Sequence, residues 1–170
     1  VAVRCPNASC PAQIRARILH FAARRAMDIE GLGDALVEQL VEKEMVRELP
    51  DIYGLKVGEL AELERMGEKS AENLVRAIAT SRARGLERVL FALGIRHVGE
   101  RSARELAIRY GTMSALEAAT EAELQQMDEV GPVVATSIRD FFAQSANRKL
   151  VRRLEEAGVD MNSKATRAQG

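Results

Sequence analysis

Apolar residues along this chain recur at intervals of three and four and break off at short polar turns that centre on glycine. Set in register, Gly33, Gly67, Gly99 and Gly131 lie 34, 32 and 32 residues apart. The residue before each is Leu32, Met66, Val98 or Val130, and four before stand Ile29, Leu63, Ile95 and Met127. Seven before are Ala26, Leu60, Ala92 and Leu124, and seven after are Leu40, Leu74, Leu106 and Ile138. Four after come Val37, Ala71, Ala103 and Ala135, mostly small, as closely packed helices need. Such offsets fall on helical faces. Each unit therefore predicts two short helices with a shared apolar seam and a tight turn, near residues 29–33, 63–67, 95–99 and 127–131. No unit can bury its seam alone, so neighbours must pack together.

Between the turns, start and stop signals place the remaining elements. A helix is predicted from Ala12 to Ala26 on the spacing of Ile14, Ile18 and Phe21, and another through Leu36, Val37, Leu40 and Val41 to near Met45. Leu49-Pro50-Asp51 marks a loop and a fresh helix start. Ala71 to Ser81 is the next helix, and Arg82-Ala83-Arg84-Gly85 a connector. Gly111 ends a helix as a C-terminal glycine does, Thr120 to Glu123 is a capping box, and Pro132 suits a first helical position. Asp51-Ile52-Tyr53 and Met113-Ser114-Ala115-Leu116 recur at matching places ahead of the second and fourth turns, so the units read as two pairs. No window alternates as a strand does. The predicted class is all-α, with 12–160 as the helical domain and 161–170 as a polar tail or linker.

The turns also carry the candidate chemistry. Gly99 is expected to take a backbone angle that other residues resist. The amides behind it open a helix without intrahelical partners, and the helix dipole adds positive potential, which suits a phosphate. Arg96, Arg101 and Arg104 surround that turn. The net charge of zero hides basic blocks: residues 1–27 carry +5 with no acid, 28–80 carry −7, 81–110 carry +4 and 111–170 carry −2. Backbone phosphates could be neutralised at the two basic blocks, although solvated helix faces would also hold such arginines. Acids at Glu30 and Asp34, and at Asp128 and Glu129, weaken the first and fourth turns as anion sites, so the second and third are expected to dominate. No run of eighteen apolar residues and no signal peptide is present, so the expected location is the cytoplasm, with no membrane partner.

Cys5 and Cys10, the only cysteines, flank a turn-forming stretch in residues 1–11. In a cytosolic chain such a pair reads better as half a Zn²⁺ site than as a disulfide. Structural zinc takes four ligands, so two plain thiols, or a second pair lying upstream, are the alternatives.

The four units resemble helix-hairpin-helix motifs, a family that holds DNA backbones without reading sequence. The resemblance narrows at HFAARRAMDIEGLG following CPNASCPAQ, which is similar to the junction of zinc finger and helix-hairpin-helix domain in bacterial NAD-dependent DNA ligases. LERMGEKSAENL and ALGIRHVGERSARELA are similar to that family's second and third hairpins. The likeness runs from about Arg4 to about Asp160. It implies that residues 1–11 are a partial zinc finger with the second cysteine pair only. It further implies that the adenylation domain, where NAD binds, and a BRCT domain lie elsewhere in a longer parent. No K-x-D-G adenylation motif occurs here, so the chain is expected to be inactive alone. The implied role is to grip nicked duplex DNA beside the parent's other domains, in replication and repair. The expected contacts are Gly31, Gly33, Arg65, Met66, Gly67, Lys69, Arg96, His97, Val98, Gly99, Arg101, Val130 and Gly131. The competing classes are a helical protein-interaction module and a base-excision enzyme. The latter requires a flipped base in a pocket, for which aromatic residues are sparse.

Overall fold

A computed structural model describes residues 11–165, and over that range the chain is helical, its one β-type contact an isolated bridge between Thr112 and Asn162. Cys5 and Cys10 lie outside the described residues. The chain divides into two compact units that meet between Arg82 and Ala83, where the basic connector was expected. The range 12–160 predicted as the helical domain spans both units.

The first unit comprises α1 (Pro11–Ala22), α2 (Asp34–Glu42), a 3-10 helix over Leu49–Gly54, α3 (Val57–Ala61) and α4 (Glu68–Ser81). α1 is shorter than predicted because residues 23–27 leave the helix: the Met27 and Asp28 amides turn back to the Phe21 and Ala23 carbonyls. α1 packs on α2, α3 on α4, and the 3-10 helix on both α1 and α4. Tyr53 of the 3-10 helix meets Phe21 edge-on at 6.3 Å and hydrogen-bonds the buried Ser81 hydroxyl at 3.0 Å. Arg82 lies over the Tyr53 ring and donates to its carbonyl. That single tyrosine joins the first helix to the last. A second tie is a paired bond in which the Gln39 amide of α2 donates to the Glu64 carbonyl and accepts from the Glu64 N–H, so the first helix pair holds the second turn.

The second unit comprises α5 (Leu86–Ala92), α6 (Glu100–Tyr110), α7 (Met113–Ala118), α8 (Glu121–Gln125), α9 (Pro132–Ala143) and α10 (Ser145–Glu156). α5 packs on α6, α6 on α7, α8 on α9 and α9 on α10. Gly111 closes α6 with φ +74, and Thr112 and Thr120 cap α7 and α8 by accepting from the Ala115 and Glu123 amides. Residues 161–165, read as part of a polar tail, are docked: the Leu86 amide donates to the Asn162 carbonyl, Met113 to Met161 and Ser163 to Gly111. Lys164 reaches the Ala83 carbonyl through its ammonium and Glu87 through its amide. Val159 and Met161, where this strap begins, are buried.

The repeat predicts the core closely. Every seam position at −7, −4, −1, +4 and +7 is buried except Met66 and Met127, which are half-buried. Val37, Ala71, Ala103 and Ala135 are all 0% exposed, so added side-chain volume would be poorly tolerated there.

Candidate nucleic-acid interface

All four turns are built on one local plan. The amide of the apolar residue before the aligned glycine donates to the carbonyl three residues earlier: Leu32 to Ile29 at 3.4 Å, Met66 to Leu63 at 3.1 Å, Val98 to Ile95 at 3.0 Å and Val130 to Met127 at 3.1 Å. In three turns the left-handed residue needed to reverse the chain stands two before the glycine: Gly31 at φ +103, Arg65 at +63 and His97 at +68. Glu129, at the matching place in the fourth, is not among the positive-φ residues. Arg65 thus adopts the same region as Gly31, and the turn survives the missing glycine at a local cost of about 1 kcal/mol.

The aligned glycines themselves are conformationally ordinary. Gly33, Gly67, Gly99 and Gly131 have φ of −93°, −108°, −90° and −82° with extended ψ, angles open to any residue. The expectation that Gly99 supplies the special backbone angle is therefore corrected, because His97 carries it. Crowding does not ask for glycine either: an added Cβ at any of the four would meet no atom within 4 Å. The side-chain position at each glycine is open space.

Behind each glycine a helix starts whose first amides have no partner within the helix. The first intrahelical bonds run from Val37, Ala71, Ala103 and Ala135 to the four glycine carbonyls at 2.9–3.0 Å, and none of the four glycine caps carries a side-chain cap. The amides from glycine through the third helical residue thus lack helix partners, save at Pro132, which has no N–H. The amides of Met66, Val98 and Val130, three of the expected contact residues, are engaged within their turns. Their side chains anchor the turn from inside.

Charge separates the turns. Lys69 and Arg101 stand at the second helical position of α4 and α6, exposed, and Arg96 is exposed beside the third turn. Among the described residues none of these three makes an ion pair. Glu68 and Glu100 occupy the first helical position of the same helices, as Asp34 does in α2. Asp34 is therefore not peculiar to the first turn: the same register puts Glu68 and Glu100 behind the second and third. They narrow the advantage of the second turn, while the third, with Arg96, Arg101 and Arg104, remains the most basic. Within the second unit the third and fourth turns share a feature that neither shows in sequence. Arg96 and His97 line one depression with Pro132, Val133, Thr136 and Asp140.

Elsewhere the Tyr110 hydroxyl is buried with no hydrogen-bond partner. Its pKa is raised above 10.0, chiefly by burial and slightly by Glu123, with Arg109 pulling the other way. Among the described residues no group of three or more His, Cys, Asp or Glu could hold a metal ion, and no helix is long and apolar enough to cross a membrane.

Comparison with known proteins adds the context for this geometry. Residues 23–80 match the family described as SAM-like helix-hairpin-helix tandem, and residues 88–151 match helix-hairpin-helix motif. The boundary between the two matches falls beside the division of the structure into two units. Among curated proteins, the chain is 54% identical over 162 residues to a DNA ligase of Chlorobium phaeobacteroides, covering 95% of this chain and 24% of that protein. It is 52% identical over 169 residues to a DNA ligase of Solibacter usitatus, covering 99% and 26%, and 49% identical over its full length to one of Syntrophotalea carbinolica, covering 25% of it. The chain spans about a quarter of the length of these relatives.

Proposed function

We propose that the chain, similar over nearly all its length to a quarter of each DNA ligase it matches, is a non-catalytic helix-hairpin-helix region that grips the phosphate backbone of nicked duplex DNA without reading sequence. Four helix-hairpin-helix units, paired within each compact body, do the gripping. One observation carries the proposal. Four glycines stand at equivalent helix mouths where neither backbone angle nor packing requires glycine, and the first amides of each helix, Pro132 excepted, have no partner within the helix. Glycine's preference as a helix cap amounts to several tenths of a kcal/mol; a ligand that must come within hydrogen-bond distance of the backbone is a stronger reason for four missing side chains, and a helix mouth selects an anion.

The duplex follows from the repetition. Regularly spaced phosphates are what several equivalent anion sites can hold together, and phosphates carry no base identity. Lys69, Arg96 and Arg101 add long-range attraction, and the third turn contributes most. The same geometry weighs against a purely protein-binding module, which would have no use for bare backbone at four separate turns. Strand joining with NAD, and the wider setting of replication and repair in the cytoplasm, belong to the whole protein in this proposal. Zinc held by Cys5 and Cys10 with two further thiolates belongs to it as well, and metal analysis of the purified protein checks that part.

Titration of the chain with nicked and intact duplexes at several salt concentrations tests the reading. Neutralising roughly three to five phosphates predicts a fall in affinity of about 40- to 500-fold between 50 and 200 mM salt. Random-sequence duplexes should bind alike. Absence of duplex binding at low salt, or binding indifferent to salt, refutes it.

A further inference from the structure

Val133 is the one exposed large hydrophobic residue among the described residues, at 61% exposed. A lone surface valine carries no message by itself, but this one has an informative place. It is the second residue of α9, two after Gly131, and its counterparts in the other units are Ala35, Lys69 and Arg101, all exposed. It lines the open depression of about 360 Å³ that also takes in Arg96 and His97 of the third turn. The apolar surface is therefore continuous with the most basic of the proposed phosphate sites.

The fourth turn is poorly suited to a phosphate of its own. Pro132 removes a donor from the helix mouth, and Asp128 and Glu129 precede it. Asp140 adds a further negative charge to the depression. What borders a phosphate along a DNA strand is a sugar, and the sugar is the least polar part of the backbone.

We infer that Val133 packs against deoxyribose beside the phosphate held at the third turn, so that the second unit distinguishes deoxyribose from ribose. The inference rests on the DNA-backbone reading and adds to it a contact that is apolar, independent of salt and sensitive to the 2′ position. In DNA that position is C–H. In RNA it is a hydroxyl displayed at the minor groove, and valine can neither donate to it nor accept from it, so the hydroxyl would be buried unpaired.

The test uses the whole chain, a labelled nicked DNA duplex, and the same duplex with ribonucleotides throughout the nicked strand. Val133→Thr keeps the shape and exchanges one methyl for a hydroxyl. DNA affinity should fall roughly three- to tenfold with the slope against log salt unchanged, and affinity for the ribonucleotide duplex should fall less or rise. Arg101→Gln is the comparator, and it should lower the salt slope by about one on both duplexes. A Val133→Thr protein that melts like wild type yet binds DNA unchanged, loses equally on both duplexes, or shifts the salt slope overturns the inference. Equal loss would instead mean that Val133 meets the duplex without sensing the 2′ position, and unchanged binding would leave this surface to a protein partner. A wild-type chain that bound neither duplex would overturn the underlying DNA reading, and that result is distinguishable because it precedes any substitution.

Discussion

Replacing Gly67 and Gly99 by alanine separates a glycine kept for the fold from a glycine kept for a ligand. At both positions the backbone is extended, and a new Cβ meets nothing within 4 Å. Alanine should therefore fit. Two small effects on stability oppose each other: alanine is a poorer helix cap than glycine by several tenths of a kcal/mol, while it restricts the unfolded chain by about 0.4–1 kcal/mol. Their near-cancellation keeps the net change within about 1 kcal/mol. Binding should respond very differently, because the methyl group projects where a phosphate oxygen must come to reach the amides. A hydrogen bond to a charged group contributes about 1.5–3 kcal/mol, so each substitution should weaken duplex binding about 10- to 150-fold. Gly31→Ala is the internal contrast. It sits at φ +103 with Leu74 Cδ1 only 3.4 Å from an added Cβ, so it should lose about 1–3 kcal/mol of stability. Thermal melting by circular dichroism and fluorescence anisotropy on a nicked duplex read the two quantities independently. The reasoning is refuted if Gly67→Ala and Gly99→Ala bind as tightly as wild type, or if they unfold the protein as Gly31→Ala is expected to.

Two further outcomes follow from the second unit. Gly85→Ala should loosen the C-terminal strap, since φ is +104 and the new Cβ would lie 2.9 Å from Glu87 Oε1 and 3.1 Å from Lys164 Cγ. Hydrogen exchange should then show lost protection at the Leu86 and Ser163 amides, at a cost of about 1–3 kcal/mol, and unchanged protection there contradicts the docked strap. Tyr110→Phe should be neutral or stabilising by about 1 kcal/mol, because it removes a buried hydroxyl that has no partner. Burial raises the Tyr110 pKa, so the folded state holds the phenolic proton more tightly than the unfolded chain does. The resulting stability is fully present below the unfolded value near 10 and is lost as pH rises through the folded value. Denaturant titrations from pH 8 to 11 should show that alkaline loss in wild type and less of it in Tyr110→Phe.

The helical seam was legible because burial imposes a period. Ala71, Ala103 and Ala135 share an offset because added side-chain volume would be poorly tolerated there, and a linear pattern records that directly. Local signals with one physical meaning, such as the Thr120 cap, the Gly111 stop and Pro132 at a helix start, were legible for the same reason. The turns were harder. Gly99 invites the reading that glycine serves backbone freedom, yet His97 and Arg65 hold the left-handed positions, where their side chains can extend into solvent and only the backbone bears the cost. The engagement of the Met66 and Val98 amides depends on a three-residue turn bond that many sequences can make. The strap is silent in sequence for a related reason: its contacts run through backbone groups of Asn162 and Ser163, and only Val159 and Met161 mark it as buried. The depression joining Arg96 to Val133 exists only once the third and fourth turns pack together.

The most direct measurement of the central claim is amide NMR of the ¹⁵N-labelled chain during titration with a nicked duplex. Backbone donors at the helix mouths should respond first and most, with Gly67, Lys69, Gly99 and Arg101 leading and Gly33 and Gly131 following, while the turn-bonded Met66 and Val98 amides move less. Shifts concentrated away from these four turns, with the glycine amides unmoved at saturation, would contradict the account.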